Sequence, residues 1–581
     1  MAIKNRSGRS GGRAAVFILS LGLLEGFIIG FVVTFNPLKR ALFSVEAHKY
    51  LSYGMFRLIA LLFRRPFLNW LAITVAVALA TLVVGLTVFF VSDLSRRMKK
   101  KTTKGSSSSL LHAGWLKAVA FGSLFFLLII NAVIFFAGTR SSPEHPNAIL
   151  IIVDALRPDH MSCYGYGKNT TPNIDRLAEE AALFSEAVVV FPRTTPSAVS
   201  ILTGLYPHTH GTRSLYVSGD SYESPGNLNL AEVLLNENYR TAAFLNQNLL
   251  HRDSGLRQGF NRYENLIDDL EVTRRAVSWL KKNGGGERPF FLLLWYLSPH
   301  WPYNPSRRDR VLFTDQPDER LKELFLRGMD PNQRCFAPIY DQEEIELLIS
   351  AYDAEIHQSD RAVGVLLDYL RQAGLYRDSL IVITSDHGES LGEHGYFFDH
   401  GEYYYDTDAR VPLLIKKPGR DKAEKLDFQV RNIDIFPTVL RMLNLSSDCE
   451  GVNLFPETAA GEEAILNLIA FGENDYSLFT ANPRRHVEGI AGKWRMARTK
   501  RWKLLFIPHP RAPVYEFYDL KNDPGENENL IDDPAYQTRI KELKKKLFSW
   551  IKAEDLEKTD SPAVGDIHPA TRARLKSLGY L

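Results

Sequence analysis

The chain changes character along its length through the size of its apolar runs. Residues 14–35, 67–92 and 118–137 are runs long enough to span a bilayer as helices. From residue 146 onward the runs shorten and alternate with helical periods. NAILIIVD, 147–154, is a β-rich run ending in a carboxylate, the pattern of a strand buried on both faces. SLIVITSDHGE, 379–389, repeats it and ends in Asp386 and His387. Further strands are predicted near 240–245, 289–297 and 410–419, with helices near 229–237, 270–282 and 342–372 and a last one in IDIFPTVLRMLNL. Such alternation predicts an α/β fold, a mostly parallel sheet flanked by helices. Residues 303–340 lack a clean period and read as an insertion or lid. After residue 470 the pattern becomes a hairpin around 493–507, a strand near 515–519 and a basic amphipathic helix near 537–552, a smaller α+β subdomain. Three parts follow: a membrane domain over 1–140, a main domain over 141–470 and a C-terminal subdomain over 471–581.

Charge sharpens the first division. Residues 1–140 hold 18 Lys and Arg against 3 acidic residues, a balance of +15 that leaves −12 for the remainder. The acidic remainder argues against nucleic acid as a partner, which would call for a basic groove. The basic cluster in SDLSRRMKKKTTKG, between the second and third runs, belongs in the cytoplasm. The third run then delivers residues 141–581 to the outside of a cell membrane as a multi-pass, extracytoplasmic arrangement. Residues 41–63 read either as a polar fourth span or as an interfacial amphipathic segment, and neither choice moves the main domain. Cys163, Cys335 and Cys449 are too few for a disulfide framework.

The chemistry gathers at three places. In FPRTTPSAVSILTGLYPHTHG, 191–211, Thr195 and Pro196 have the form of an N-cap and first-turn proline, so a helix is expected from there to about Gly204. That sets the Thr194 hydroxyl at a helix N-terminus, where backbone N–H groups and the helix dipole favour an attacking oxygen and a bound oxyanion. In an open α/β sheet, ligands bind at the carboxyl ends of strands, so Asp154, Asp386 and His387 can meet although far apart in sequence. Two carboxylates and an imidazole suit one divalent metal, with Thr194 offering a fourth oxygen. A metal there would also activate the threonine.

These motifs, in this order, resemble the sulfatase branch of the alkaline-phosphatase superfamily. The stretch RPDHMSCYGYGKNTTPNIDRLAEEAALFSEAV, then LTGLYPHTHG, SDHGESLGEHGYFFDHG, ARTKRWKLLF, YEFYDLKNDPGENENL and the closing LKSLGYL carry the likeness over about 146–581. Two departures alter what it implies. Formylglycine sulfatases carry CxPSR or SxPSR, whereas this chain has Thr194, Thr195, Pro196, Ser197 and Ala198; and the aspartate that usually follows the first one is Ala155. A threonine nucleophile is similar instead to nucleotide pyrophosphatase/phosphodiesterases, phosphoethanolamine transferases and lipoteichoic acid synthases. His387, where many sulfatases have asparagine, favours zinc or manganese, with calcium or magnesium as alternatives.

The resemblance assigns further residues. His300, in SPHWPYNP, is similar to the histidine beside the leaving group. His400 falls where sulfatases often carry a lysine and would contact the transferred group, with His394 as a second substrate-binding candidate. His208 and His210 read as structural. Asp353, Glu355, His357 and Asp360 are spread over several faces of one helix and read as a solvated or salt-bridged set rather than a second metal site. The chain is thus expected to be a membrane-anchored hydrolase or transferase acting on phosphodiester or related ester groups of envelope lipids or glycans. Two alternatives stand beside that reading: a sulfuric ester hydrolase working without formylglycine, and a catalytically inactive membrane scaffold.

Overall fold

Asn147–Val153 forms β1, buried at every position. A strand apolar on both faces must lie inside a sheet covered on both sides, and β1 does: it pairs in parallel with β5 (Phe290–Tyr296) and β6 (Ser379–Thr384), themselves buried throughout. The structure, a computed structural model, describes residues 145–213, 228–250, 255–286, 288–329, 334–335, 339–420, 422–474, 493–509 and 511–551. The chain divides between Met1–Ser141 and Ser142–Leu581, and the described residues all belong to the second unit. The runs 14–35, 67–92 and 118–137, the segment 41–63 and LKSLGYL lie outside the described residues. Among the described residues no helix is long and apolar enough to cross a membrane.

The sheet is completed by β2 (Ala182–Val188), β3 (Arg240–Leu245), β4 (Arg262–Asn265), β9 (Arg410–Lys416) and β10 (Glu424–Arg431), in the order β10-β2-β9-β6-β1-β5-β3-β4. Only β9 runs against its neighbours. Between β6 and β9 a short hairpin, β7 (Ser390–Leu391) with β8 (Phe397–Asp399), carries the histidine-rich loop. Helices α1 (Pro172–Ala178), α2 (Thr194–Thr203), α3 (Leu230–Asn236), α4 (Asp269–Asn283), α5 (Gln342–Gln372) and α6 (Ile435–Met442) accompany the sheet. One apolar cluster joins the α4 and α5 faces to it and another joins α2, α3 and α6. A second, antiparallel sheet of β11 (Ala470–Glu473), β12 (Arg495–Arg498), β13 (Trp502–Ile507) and β14 (Val514–Asp519) packs on α7 (Gln537–Trp550) through Leu504, Phe517, Ile540, Leu543 and Leu547.

Of the two readings for Asp353, Glu355, His357 and Asp360, solvated or salt-bridged, the paired one holds. Asp353 is buried and accepts from His160, Tyr166 and Lys168 at 2.7–2.8 Å. Asp360, also buried, accepts the amides of Asn173 and Ile174 and so caps α1 from outside. Glu355 accepts the Asn304 amide, and His357 pairs with Asp309. They staple neighbouring elements to the helix, because a buried carboxylate is tolerable only when hydrogen-bonded. Among the described residues of the 303–340 segment are the helices Arg307–Arg310 and Asp318–Arg327.

Candidate active site

Each residue of the site ends a strand or starts a helix. Asp154 follows β1, Asp386 and His387 follow β6, His300 follows β5 and Thr194 opens α2. The helix begins two residues earlier than its sequence suggests: Arg193 rather than Thr195 is the N-cap, without a side-chain cap bond, and Thr194 is the first helical residue. All ten residues of α2 are buried, and Gly204 closes it at φ 69°. The positive end of the helix dipole therefore sits at the Thr194 hydroxyl.

Serines fasten the loops together. Ser197 Oγ donates to the Asp386 carbonyl at 2.6 Å, tying α2 to the end of β6. Ser385 Oγ accepts the Leu156 amide at 3.0 Å and donates to the His387 carbonyl at 2.7 Å, tying β1 to β6. Ala155 has φ 57°, and Tyr352 holds this strained turn by donating to its carbonyl at 2.7 Å.

Asp154, Thr194, Asp386 and His387 are all 0% exposed. His387 Nδ1 lies 2.8 Å from the Gly388 carbonyl, which can only accept, so Nδ1 carries the proton and Nε2 presents its lone pair. That lone pair points at Thr194 Oγ1 (3.2 Å), Asp386 Oδ2 (3.2 Å) and Asp154 Oδ1 (3.4 Å). Neither of those carboxylate oxygens has a hydrogen-bond partner. The other oxygen of Asp154, Oδ2, is satisfied by Gln247 at 2.5 Å and by the Trp295 indole at 3.1 Å. Burial pushes the Asp154 carboxyl up to about 7, raises Asp386 and lowers His387. Acceptor atoms of two carboxylates and one imidazole, all within 4.8 Å and buried, repel one another when ionised, and either protons or a cation must offset that repulsion. Spacings of 3.2–3.4 Å are also those of adjacent ligands on a four-coordinate ion with bonds of roughly 2.0–2.1 Å. The residues present fit a divalent metal. It is the only such cluster among the described residues, so the acids of α5 do not form a second one.

Two more histidines stand beside it. The His400 ring stacks on His387 at 3.8 Å and meets His300 edge-on at 5.0 Å. His400 Nδ1 is 2.9 Å from Glu389 Oε2, whose partner oxygen accepts from Tyr303 at 3.0 Å. His300 Nδ1 donates to the Trp301 carbonyl at 2.5 Å, which leaves Nε2 as the nitrogen that can deliver or take up a proton. His394 is not brought to this group: it stacks on Tyr405 at 3.6 Å, and Tyr405 packs with Trp494 and Tyr518 of the smaller sheet. His210 is buried against Ser200 at 3.0 Å, as a structural histidine should be, and His208 stacks on Tyr206. Gln247, Trp295, Glu389 and Ser385 were not singled out from the sequence. Glu389, a charge inside the DHGE run, carried the one readable signal.

Gly388 is where this loop is most sensitive. A Cβ there would collide with the Thr407 carbonyl oxygen and crowd Asp408, against which the Gly388 amide is already bonded at 2.8 Å. Gly388→Ala is expected to cost about 2–4 kcal/mol in chemical denaturation and to weaken metal affinity measurably by displacing His387.

The family model described as Sulfatase matches residues 146–445, and that for the C-terminal part of N-sulphoglucosamine sulphohydrolase matches 392–553. The chain is 26% identical to an ulvan-active sulfatase of Formosa agariphila over 70% of its own length and 81% of that protein. It is 25% identical to the multifunctional alkaline phosphatase superfamily protein PehA of Trinickia caryophylli, over 70% of this chain and 95% of that one. Among solved structures, the phosphonate monoester hydrolase of Agrobacterium radiobacter superposes with a TM-score of 0.57 at 23% identity, covering 70% of this chain and 95% of the other. At that identity the likeness is one of fold.

Proposed function

The chain belongs to the sulfatase family of hydrolases, and from that premise we propose that Thr194 is its nucleophile, acting on a phosphodiester or related ester of an envelope lipid or glycan. The observation that carries this reading is the Thr194 hydroxyl at the start of α2, 3.2 Å from His387 Nε2 and beside two orphaned carboxylate oxygens. The apolar runs 14–35, 67–92 and 118–137 support a multi-pass anchor in the cell membrane with residues 141–581 on the outside.

Asp154, Asp386, His387 and Thr194 would hold one divalent ion. The His387 imidazole among these ligands favours zinc or manganese over calcium or magnesium. When bound, the ion lowers the pKa of the threonine hydroxyl and neutralises charge on the ester oxygens. With its hydroxyl proton lost to solvent, Thr194 Oγ forms the new bond to phosphorus as the bond to the leaving alcohol breaks. His300 Nε2 delivers its proton to the departing oxygen. The His400 imidazole, held by Glu389, faces the transferred group. Water or an acceptor hydroxyl then gives its proton to His300 and its oxygen to phosphorus, and Thr194 is released. Water makes the protein a hydrolase and an acceptor hydroxyl makes it a transferase.

A sulfuric ester substrate is the second reading. It is favoured by the ulvan-active sulfatase and by the Clostridium perfringens arylsulfatase, 25% identical over 71% of this chain. Full-length protein offered bis(p-nitrophenyl) phosphate and p-nitrophenyl sulfate separates the two. A phosphoryl adduct on Thr194 by intact mass, with turnover of the phosphodiester well above the sulfate, is the expected result; the reverse preference makes the protein a sulfatase. Neither turnover nor adduct nor bound metal leaves the scaffold alternative. His300→Gln should lower kcat by about 10²–10³, with a larger loss for an alkyl than for a p-nitrophenyl leaving group, since only the former needs the proton.

A further inference from the structure

Arg193 immediately precedes Thr194 and is likewise 0% exposed. A guanidinium is tolerable there only if paired, and its partners come from one short stretch. Its NH2 is 2.7 Å from Glu402 Oε2 and its NH1 is 3.6 Å from Asp399 Oδ1. Between those acids lie His400 and Gly401. Asp399 Oδ1 also accepts the His400 amide at 2.9 Å, so the Arg193 partner and the backbone of the histidine loop are one unit. Gly401 has φ 88°, and the space a side chain would fill is taken by the arginine stem: a Cβ there would collide with Nε and sit 2.7 Å from Cγ and Cδ. Arg193 thus lies across the His400–Glu402 backbone in close contact. At its own backbone, Arg193 is the N-cap of α2 and its carbonyl accepts the Ser197 amide at 3.0 Å.

One residue therefore starts the helix that carries the attacking oxygen and grips the loop that carries His400. The arginine of the formylglycine motif is missing at Ala198, and Arg193 is a guanidinium placed on the other side of the nucleophile. Resting on the reading of Thr194 as nucleophile, we propose that Arg193 is a positioning residue. It clamps the start of α2 to residues 399–402 and fixes the separation between the Thr194 hydroxyl and the His400 ring. Asp399 extends the clamp to a further segment, since it also pairs with Arg334 at 3.2 Å and accepts from Cys335 at 2.9 Å.

The test compares full-length wild type, Arg193→Met, Arg193→Lys and Thr194→Ala by hydrogen exchange of peptides covering 193–200 and 397–404, together with adduct formation from bis(p-nitrophenyl) phosphate. Arg193→Met should quicken exchange in both peptides by roughly tenfold or more and leave β6 unchanged. It should slow adduct formation about 100-fold with KM within about twofold, because a misplacement of an ångström costs rate rather than binding. Arg193→Lys keeps the charge with a shorter reach and should fall between; it carries the test if the methionine variant does not fold. Thr194→Ala should leave exchange at 397–404 as in wild type. Unchanged exchange at 397–404 in Arg193→Met, or adduct formation at the wild-type rate, overturns the proposal while leaving Thr194 as nucleophile. A wild type that forms no adduct overturns the nucleophile reading itself and Arg193's catalytic part with it.

Discussion

Asp386→Asn is expected to lower kcat/KM by at least about 10³-fold and, at the same time, to make the metal-free protein more resistant to heat. The two effects have one cause. Asp154 Oδ1, Asp386 Oδ2 and His387 Nε2 are three acceptors facing one another in a site that excludes water. With an ion they are ligands, and with none they repel. An asparagine amide can donate where the carboxylate could not, so the variant loses the ion and the repulsion together. In wild type, chelation should lower stability by about 4 kcal/mol when the metal stands a thousandfold above its dissociation constant; in Asp386→Asn, chelation should change nothing. The pH dependence has a definite sign. Burial pushes the folded, metal-free Asp154 up to about 7 and raises Asp386 too, whereas an unfolded aspartate releases its proton near 3.9. Between those values the folded chain holds more protons than the unfolded one, so the chelated protein loses stability as pH rises from about 4 to 7. Metal needs the deprotonated ligands, so the metal-loaded and chelated melting curves should converge at the acid end and separate toward neutrality. Calorimetry with and without chelator at pH 5 and 7, alongside metal analysis, reads all of this. A variant that still responds to chelation would place the ion elsewhere.

The part of this site that was legible in the sequence is the part that lies at strand ends. β1 and β6 stand out because a strand buried on both faces is a continuous apolar run, and a carboxylate closing such a run has little reason to be there except at a ligand crevice. Thr194 was readable from the proline and glycine bracketing α2, though the cap fell on Arg193, whose side chain is occupied with Glu402 rather than with the helix. What was hidden depends on strand order. Gln247 and Trp295 reach Asp154 only because β1, β5 and β3 are consecutive in the sheet. His394 and His400 are six residues apart in one glycine-rich loop, yet His394, at φ 55°, stacks toward the smaller sheet while His400 stacks on His387. Backbone turns of that kind leave no periodic trace. The acids of α5 read by spacing as solvated or salt-bridged, and only the arrival of α1, the 157–168 segment and Asn304 against the helix makes them buried acceptors.

Thr194→Ala should abolish the covalent adduct and lower turnover by about 10⁴-fold or more, the largest effect expected of any single change in this protein. The variant keeps Asp154, Asp386 and His387, so metal should be retained, and its fold should be undisturbed because α2 is anchored by Ser197 and by the packing of Ala198, Val199, Ile201 and Leu202. Thr194→Ser keeps the hydroxyl but loses the methyl group that restricts its rotation, and is expected to retain activity lowered by about tenfold. The comparison separates two roles that the geometry alone leaves together, since an oxygen 3.2 Å from His387 Nε2 is placed to bind an ion as well as to attack an ester. If Thr194 were only a ligand, Thr194→Ala would bind metal weakly and an excess of zinc or manganese would restore turnover. If Thr194 is the nucleophile, saturating metal restores nothing, because the group that must form the bond to phosphorus is gone while the site that activates it is intact.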